Sequence, residues 1–323
     1  MLEYSVAIRT LGTAGEKYQQ MLSSLDQQVI KPKSIIVYIA EGYPLPKETI
    51  GYEKYVYVKK GMVSQRALLY NEISTEYILF LDDDVYLPPN GVKKMYEALR
   101  TKKADVISPN VFENHKMHKI NKIRMAFLGM ALPLFYNKEY AYKISRSGGF
   151  FYNNNPVKDI YKSESNAGPC FLCKKDDFLK IKFEDELWLD KTLYALPEDQ
   201  VMFYKMHCMG YNQLTIFNSG IVHLDASSTN KGNSQKHLNI LFSESRNKII
   251  FWHRFIFLRQ RNFIGRIWSI LCIVYAYLTR IIMMIVKCKK DELKIWLNGI
   301  QSAFLFLRSK EYALLPLIDK YEK

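Results

Sequence analysis

The stretch YILFLDDDV occupies residues 77–85 and joins an apolar run to three consecutive aspartates. A short apolar run bounded by polar residues is typical of a strand buried on both faces of a parallel sheet. In open α/β sheets, ligands bind beyond the carboxyl ends of the strands, where Asp82, Asp83 and Asp84 would lie. Adjacent carboxylates repel one another unless a cation neutralises them. The stretch therefore predicts a site for Mg²⁺ or Mn²⁺, and a solvated acidic turn is the alternative.

Strands and helices alternate on both sides of this stretch. Apolar runs predict strands at residues 4–10, 34–40, 55–59 and 105–108, and helical spacing predicts helices at 18–28, 64–73 and 91–100. This alternation is typical of βαβ units, so we expect an α/β fold with a doubly wound, mostly parallel sheet. The pattern fails from 112 to 166, and regular structure returns at 168–172 and in a helix near 199–209.

A second acidic pair, Glu198-Asp199, stands where the helix near 199–209 begins. Carboxylates are favoured at a helix N-terminus, so capping is one interpretation of this pair. The other is a general base that removes a proton from a hydroxyl group.

The charge balance favours anionic partners. Lys and Arg number 46 against 32 Asp and Glu, a formal net charge of +14 among 323 residues. Acidic lipid surfaces and phosphorylated substrates fit this balance, whereas nucleic acid is disfavoured because no nucleic-acid motif is present.

The five cysteines include one CxxC, Cys170 to Cys173, without a second pair at zinc-site spacing. We interpret them as buried thiols in a reducing compartment, and the N-terminus carries no signal-peptide pattern.

The chain changes character from about residue 241. Residues 268–286 carry a single charge, Arg280. This stretch is long enough to span a membrane. The alternatives are a helix lying in the membrane interface with a basic flank on lipid phosphates, and a helical lid packed on the rest of the protein. We favour the interfacial helix, because Arg254, Arg259, Arg261 and other basic residues flank the apolar stretch.

These features together resemble the family 2 glycosyltransferases, which have the GT-A fold. The resemblance extends over roughly residues 4–223 and rests on motifs in the family's order. They are VAIRT at 6–10, LDQQV followed by KP at 25–32, GMVSQRA at 61–67, DDD at 82–84, GPCF at 168–171, ED at 198–199 and GIVHL at 220–224.

The resemblance implies a role for each matching residue. Donor binding falls to Thr10, Glu41, Arg66, Asp82 and Asp83, metal binding to Asp84 and His223, the acceptor side to Gly168 and Glu198, and catalysis to Asp199. Two positions depart from the family pattern: Glu41 replaces the usual Asp after the second strand, and Ala67 replaces the usual Asn.

The resemblance also implies an activity: inverting transfer of a sugar from a UDP-, GDP- or dTDP-linked donor to a glycan or lipid-linked acceptor. Asp199 would be the base, and Mn²⁺ or Mg²⁺ would neutralise the leaving diphosphate. We expect a GT-A catalytic domain at 1–240, with a donor half at about 1–110 and an acceptor half at about 111–240. A helical membrane-associated region would follow at 241–323. We also expect the protein to act in surface polysaccharide synthesis, as a peripheral or monotopic protein at the cytoplasmic face of the cell membrane. The aromatic segment 112–166 would carry specificity.

Two rival functions remain open at this point. A sugar nucleotidyltransferase also holds Mg²⁺ with paired aspartates, and LGTAGEK at 11–17 vaguely resembles its glycine-rich loop but lacks a second basic residue. A catalytically silent, membrane-docked nucleotide-sugar-binding protein is the other, although intact Asp84 and Asp199 argue against it.

Overall fold

The computed structural model describes residues 2–111, 120, 123, 127, 139–153, 155–224 and 234–318. The strands within these ranges are β1 (Tyr4–Thr10), β2 (Ile35–Ala40), β3 (Lys54–Val58), β4 (Tyr77–Asp82), β5 (Val85–Tyr86), β6 (Val106–Pro109), β7 (Tyr140–Ile144), β8 (Phe150–Tyr152), β9 (Ile160–Ser163), β10 (Cys170–Lys174), β11 (Gln213–Ile216) and β12 (Val222–His223). The α-helices are α1 (Glu16–Asp26), α2 (Gly91–Thr101), α3 (Lys175–Lys180), α4 (Glu198–Cys208), α5 (Ser234–Phe251), α6 (Phe263–Val286), α7 (Lys290–Leu307) and α8 (Lys310–Ala313).

One large sheet organises the molecule, with strand order β3-β2-β1-β4-β10-β6-β11-β9-β7-β8. The first four of these strands are parallel, and β10 runs antiparallel between β4 and β6. Strand β2 is buried along its whole length, as an apolar strand covered on both faces must be. The predicted α/β class, with a parallel core and a C-terminal helical region, is confirmed.

The prediction of a helix at 64–73 is wrong. The chain instead makes turns there, because Asp190 accepts hydrogen bonds from the backbone N of Val63 and of Ser64, at 3.0 and 2.8 Å. Tyr70 then adopts a left-handed conformation with φ of 53°, which ends any helical path. Contacts with a distant segment have overridden the local helical spacing.

Part of the segment in which the sequence pattern fails is regular in the structure. Strands β7, β8 and β9 lie within residues 140–163 and extend the sheet beyond β11. Most of residues 112–138, where specificity was predicted, lies outside the described residues.

The C-terminal helices share a hydrophobic core with one face of the sheet, in which the rings of Phe251 and Phe255 pack against that of Tyr204 of α4. A buried ion cluster reinforces this contact. Glu186 is fully buried and lies 2.9 Å from Arg254 and 3.0 Å from Lys205. Burial opposes ionisation of Glu186, but Lys205 and Arg254 outweigh it and hold its pKa below the ordinary value.

Candidate active site

The carboxyl ends of β1 and β4 bring the first acidic motif against an arginine. Arg9 and Asp82 are register neighbours in this parallel pair. The guanidinium donates twice to the carboxylate, from Nε to Oδ1 at 2.5 Å and from Nη2 to Oδ2 at 3.0 Å. Such a two-point contact fixes the orientation of a carboxylate. Burial of Asp82 acts to raise its pKa, but the charge and hydrogen bonds of Arg9 outweigh burial and hold this pKa below its ordinary value.

The second acidic motif reaches the same place from the N-terminus of α4. Arg9 Nη2 lies 3.2 Å from Glu198 Oε1, and Arg66 Nη1 donates to Asp199 Oδ1 at 2.7 Å. Arg66 Nη2 lies 3.3 Å from Asp82 Oδ1 as well. Two arginines therefore bridge two acidic motifs that are more than a hundred residues apart in the chain.

The two acids of this second motif differ in how much of each side chain is exposed to solvent. The side chain of Asp199 is 30% exposed, whereas that of Glu198 is 4% exposed. Burial, with the negative charge of Asp199 beside it, raises the pKa of Glu198 to about 7. Asp199 is therefore the carboxylate that a substrate can reach, and Glu198 is a buried group that is partly protonated at neutral pH.

The middle aspartate is held by the end of β1. Thr10 Oγ1 donates to Asp83 Oδ2 at 2.5 Å and accepts from the backbone N of Gly12 at 2.8 Å. Burial raises the pKa of Asp83 to about 6, and the charges of Asp84 and Asp82 act in the same direction. A proton or a cation at this edge would relieve the crowding of negative charge.

Gly168 lies so close to Asp199 that a side chain at this position would overlap the carboxylate. A Cβ atom at this position would lie 1.8 Å from Asp199 Oδ1 and 2.7 Å from Arg66 Nη1. The carbonyl oxygen of Gly168 also accepts from Arg66 Nη2 at 3.0 Å. The loop before β10 therefore forms one wall of the site, and the absence of a side chain at Gly168 leaves room for the Asp199 carboxylate.

The third aspartate faces a histidine across the two-stranded sheet β12-β5. Val85 is paired with His223, and the backbone N of Leu224 donates to the carbonyl of Asp84 at 2.8 Å. As a result His223 Nε2 lies 3.0 Å from Asp84 Oδ1, with side chains that are 20% and 14% exposed. Two ligands at neighbouring corners of an octahedron with bonds of about 2.1 Å lie about 3 Å apart, so this spacing fits one divalent ion. Within the described ranges, no cluster of three or more His, Cys, Asp or Glu side chains could hold a metal.

Two other sequence-predicted residues have different surroundings. Glu41 is exposed in the turn after β2, and its backbone N donates to the carbonyl of Val58 at 2.8 Å. Arg66 is 3% exposed and contacts the acids and the Gly168 carbonyl, so it lies beneath the site. Donor binding by either residue stays a prediction.

Sequence reasoning missed Arg9 and Asp190. Arg9 is the one charge in the apolar strand YSVAIRT, and an ion in a buried strand indicates a partner nearby, so this signal was available. Asp190 accepts from the backbone of residues 63 and 64 and thereby fixes the turn that carries Arg66. Nothing local marks Asp190, because its role depends on a segment more than a hundred residues away.

Comparison with known proteins identifies a family and a fold that this chain resembles. Residues 55–178 match the model of glycosyl transferase family 2. The structure aligns with the crystal structure of S. aureus TarS 1-349, with a TM-score of 0.52 and 12% identity, over 97% of this chain and 83% of that one. A search of curated protein sequences found no match.

A second solved structure is the crystal structure of GalNAc-T7 with UDP, GalNAc and Mn²⁺, with a TM-score of 0.47 and 12% identity. The alignment covers 80% of this chain, which spans about half, 51%, of the GalNAc-T7 chain.

The sheet with acidic residues at its carboxyl edge defines a GT-A fold, and the enzyme class that fits it is a glycosyltransferase. The match to the model of glycosyl transferase family 2 is confined to residues 55–178. The predicted family resemblance and the enzyme class are therefore confirmed.

Proposed function

We propose that this glycosyltransferase moves a sugar from a nucleotide-diphosphate donor to an acceptor hydroxyl with inversion at the sugar carbon. The observation that carries the proposal is the meeting of the two acidic motifs through Arg9 and Arg66. This arrangement gives one place for a diphosphate and an ion, and one place for a base. Both reacting groups would then be held in a fixed relation, which is a large part of catalysis by positioning.

Asp199 is the base in this proposal. It is the more exposed acid of its pair, and Arg66 orients it by donating to Oδ1 at 2.7 Å. The carboxylate can take this position because Gly168 has no side chain, since a Cβ there would lie 1.8 Å from Oδ1. The base would accept the hydroxyl proton as the acceptor oxygen attacks, a contribution of roughly 10²–10⁴-fold in typical enzymes.

Asp84 and His223 would hold Mn²⁺ or Mg²⁺, because their donor atoms have the spacing of neighbouring ligands. Such ions are commonly bound by one or two protein groups together with substrate phosphates. When bound, the ion would supply charge neutralisation for the departing diphosphate. Thr10, Asp82 and Asp83 shape the edge against which a UDP-, GDP- or dTDP-linked donor would lie.

The acceptor in this proposal is a glycan or a lipid-linked glycan of surface polysaccharide synthesis, at the cytoplasmic face of the cell membrane. The net charge of +14 fits an anionic membrane surface better than a neutral one. Among the described residues, one helix, α6, is long and apolar enough to cross a membrane by length and composition. The predicted division at residue 240, with a donor half at about 1–110 and an acceptor half at about 111–240, forms part of the same proposal.

A donor screen tests the proposal. Purified protein with Mn²⁺ is incubated with UDP-, GDP- and dTDP-sugars, and the released nucleotide product is identified. We expect slow, metal-dependent release of a nucleoside diphosphate from one donor, and its loss in Asp199→Asn. Release of pyrophosphate would instead identify a nucleotidyltransferase, and nucleotide binding without any release would identify a silent binding protein. Once an acceptor is found, the anomeric configuration of the product, measured by NMR, decides whether transfer inverts.

A further inference from the structure

The outer face of α6 is a continuous apolar surface. Every exposed residue from Ile267 to Val286 is aliphatic or aromatic, and Trp268 is 56% exposed. Only 28% of the most apolar part of the helix is buried inside the protein, whereas a core helix of a soluble domain is mostly buried. At about 1.5 Å per residue, the 24-residue helix extends about 36 Å. A patch of this length on a soluble protein indicates a partner.

The apolar surface continues beyond α6. The hydroxyl of Tyr275 donates to the carbonyl of Phe127 at 2.6 Å, and their rings lie 6.4 Å apart. Phe127 is 68% exposed, and Ile120 and Ile123 are also exposed. The surface is therefore wider than one helix, as expected for docking on an extended plane.

The inner face of α6 is attached to the protein along its whole length, from Gly265 to Met284. Tyr277 donates to the carbonyl of Ser245 in α5 at 2.7 Å. Arg280, the one charge in the C-terminal half of the helix, turns inward toward Glu244 at 4.0 Å and lies over the ring of Trp296. Since α5 and α7 carry several charged residues, they cannot follow α6 into hydrocarbon.

Both ends of α6 are basic. Arg261 and Arg266 are exposed near the start, and Lys287, Lys289 and Lys290 are exposed after the end. A helix that crossed the bilayer would place one of these groups on the far side, against the usual preference for basic residues on one side. A helix that lies flat would place both groups on the same row of lipid phosphates.

The start of α6 lies beside the acceptor side of the site. The turn between β7 and β8 makes both contacts: the Gly148 carbonyl accepts from Gln200, the residue after the base, at 2.9 Å. The carbonyl of Arg146 accepts from Ser269 Oγ of α6 at 3.2 Å. This turn connects the base helix to the first half of α6.

We propose that α6 does not span the membrane but lies in the plane of an anionic bilayer along its full length, with the turn between β7 and β8 at the headgroups. This inference deepens the proposed function, on which its reference to an acceptor side rests. An acceptor carried on a lipid would then reach the base without leaving the membrane surface.

Trp268 supplies the probe for the first test, because the other three tryptophans, Trp188, Trp252 and Trp296, are at most 8% exposed. We mix the full chain with vesicles of phosphatidylcholine and phosphatidylglycerol that contain brominated acyl chains, and measure quenching. We expect quenching that requires the anionic lipid, weakens with salt, and disappears in Trp268→Phe while sedimentation with vesicles persists. The measurement needs no donor or acceptor, so it can fail while nucleotide release succeeds.

Depth separates a flat helix from a spanning one. In the Trp268→Phe background, Ile264→Trp and Ile285→Trp place probes on exposed sites about 32 Å apart along the axis, and Leu278→Trp lies between them. Bromine at different acyl positions should report one shallow depth for all three sites. A deep signal from position 278 with shallow signals from the two ends would show a span and overturn the proposal.

The orientation has its own pair of probes. A headgroup-level quencher should reach a fluorophore at exposed Arg146 but not one at exposed Tyr57 on β3, at the far end of the sheet. Equal quenching at both sites would refute the placement of the turn. No quenching with any vesicle, together with a concentration-dependent dimer that protects Trp268, would assign the surface to a second copy of the chain and also overturn the proposal.

Discussion

Adding one methyl group at Gly168 should displace the base without unfolding the protein. In Gly168→Ala the new Cβ would lie 1.8 Å from Asp199 Oδ1 and 2.3 Å from its Cγ. An ordinary contact begins at 3.4 Å, so the carboxylate must move by about 1.6 Å, the difference between 3.4 and 1.8 Å. The moving atoms are the end of a side chain that is 30% exposed, so the backbone can stay in place.

The main effect of Gly168→Ala should be a lower catalytic rate. A misplacement of about 1 Å can lower a rate about 10²-fold, and complete loss of a general base costs roughly 10²–10⁴-fold. We therefore expect kcat for donor hydrolysis to fall at least about 10²-fold. Weakening the hydrogen bond from Arg66 to the carboxylate should lower the free energy of unfolding by about 1–3 kcal/mol.

The assay compares Gly168→Ala, Asp199→Asn and the double variant by release of nucleoside diphosphate. If the methyl group acts through the base, it should lower the rate little further once Asp199 has been replaced. Gly91→Ala is the matched control, because its Cβ would meet the nearest atoms at 3.3–3.4 Å. Equal reductions by Gly168→Ala in the wild-type and Asp199→Asn backgrounds would refute the reasoning.

Three further predictions concern separate parts of the molecule. His223→Ala should weaken Mn²⁺-dependent UDP binding at least about 10-fold by calorimetry while leaving metal-free binding unchanged, and equal affinities would remove His223 from the metal site. Glu198 has a pKa raised from 4.5 to about 7, so its contribution to stability is present below pH 4.5 and lost as pH rises through 7. Thermal unfolding of Glu198→Gln in EDTA should therefore improve relative to wild type across that range, and a pH-independent difference would contradict the shift. Arg254→Met leaves the buried Glu186 with one fewer cation and should cost about 3–5 kcal/mol in urea unfolding, and a loss below 1 kcal/mol would contradict a structural ion pair.

The sequence by itself was enough to predict the parallel part of the sheet and the family resemblance. Buried strands are short and apolar, and a burst of charge at the end of one of them has few explanations other than a site. Because these signals are local, the strands at β1, β2 and β4 and the helices α1, α2 and α4 lie close to their predicted positions. The acidic motifs were predicted for the same reason.

Local pattern failed where a distant partner decides the conformation. Residues 64–73 have helical spacing, yet Asp190 holds their start in turns. Strands β7 to β9 are short and irregular in sequence, and they exist because β11 offers them an edge to pair with. Such pairings depend on chain segments that no window of sequence contains.

The sequence by itself thus determined the candidate site residues, since carboxylates, a histidine and a glycine are marked by type and by position after buried strands. Only the tertiary structure decided how they meet. It placed Arg9 and Arg66 between the two acidic motifs and set His223 beside Asp84. It also turned Arg280 inward, so that the exposed residues of α6 from Ile267 to Val286 are all apolar. The reason is physical: side-chain type follows from the sequence, whereas distance, burial and the partner of each charge arise when remote segments pack together.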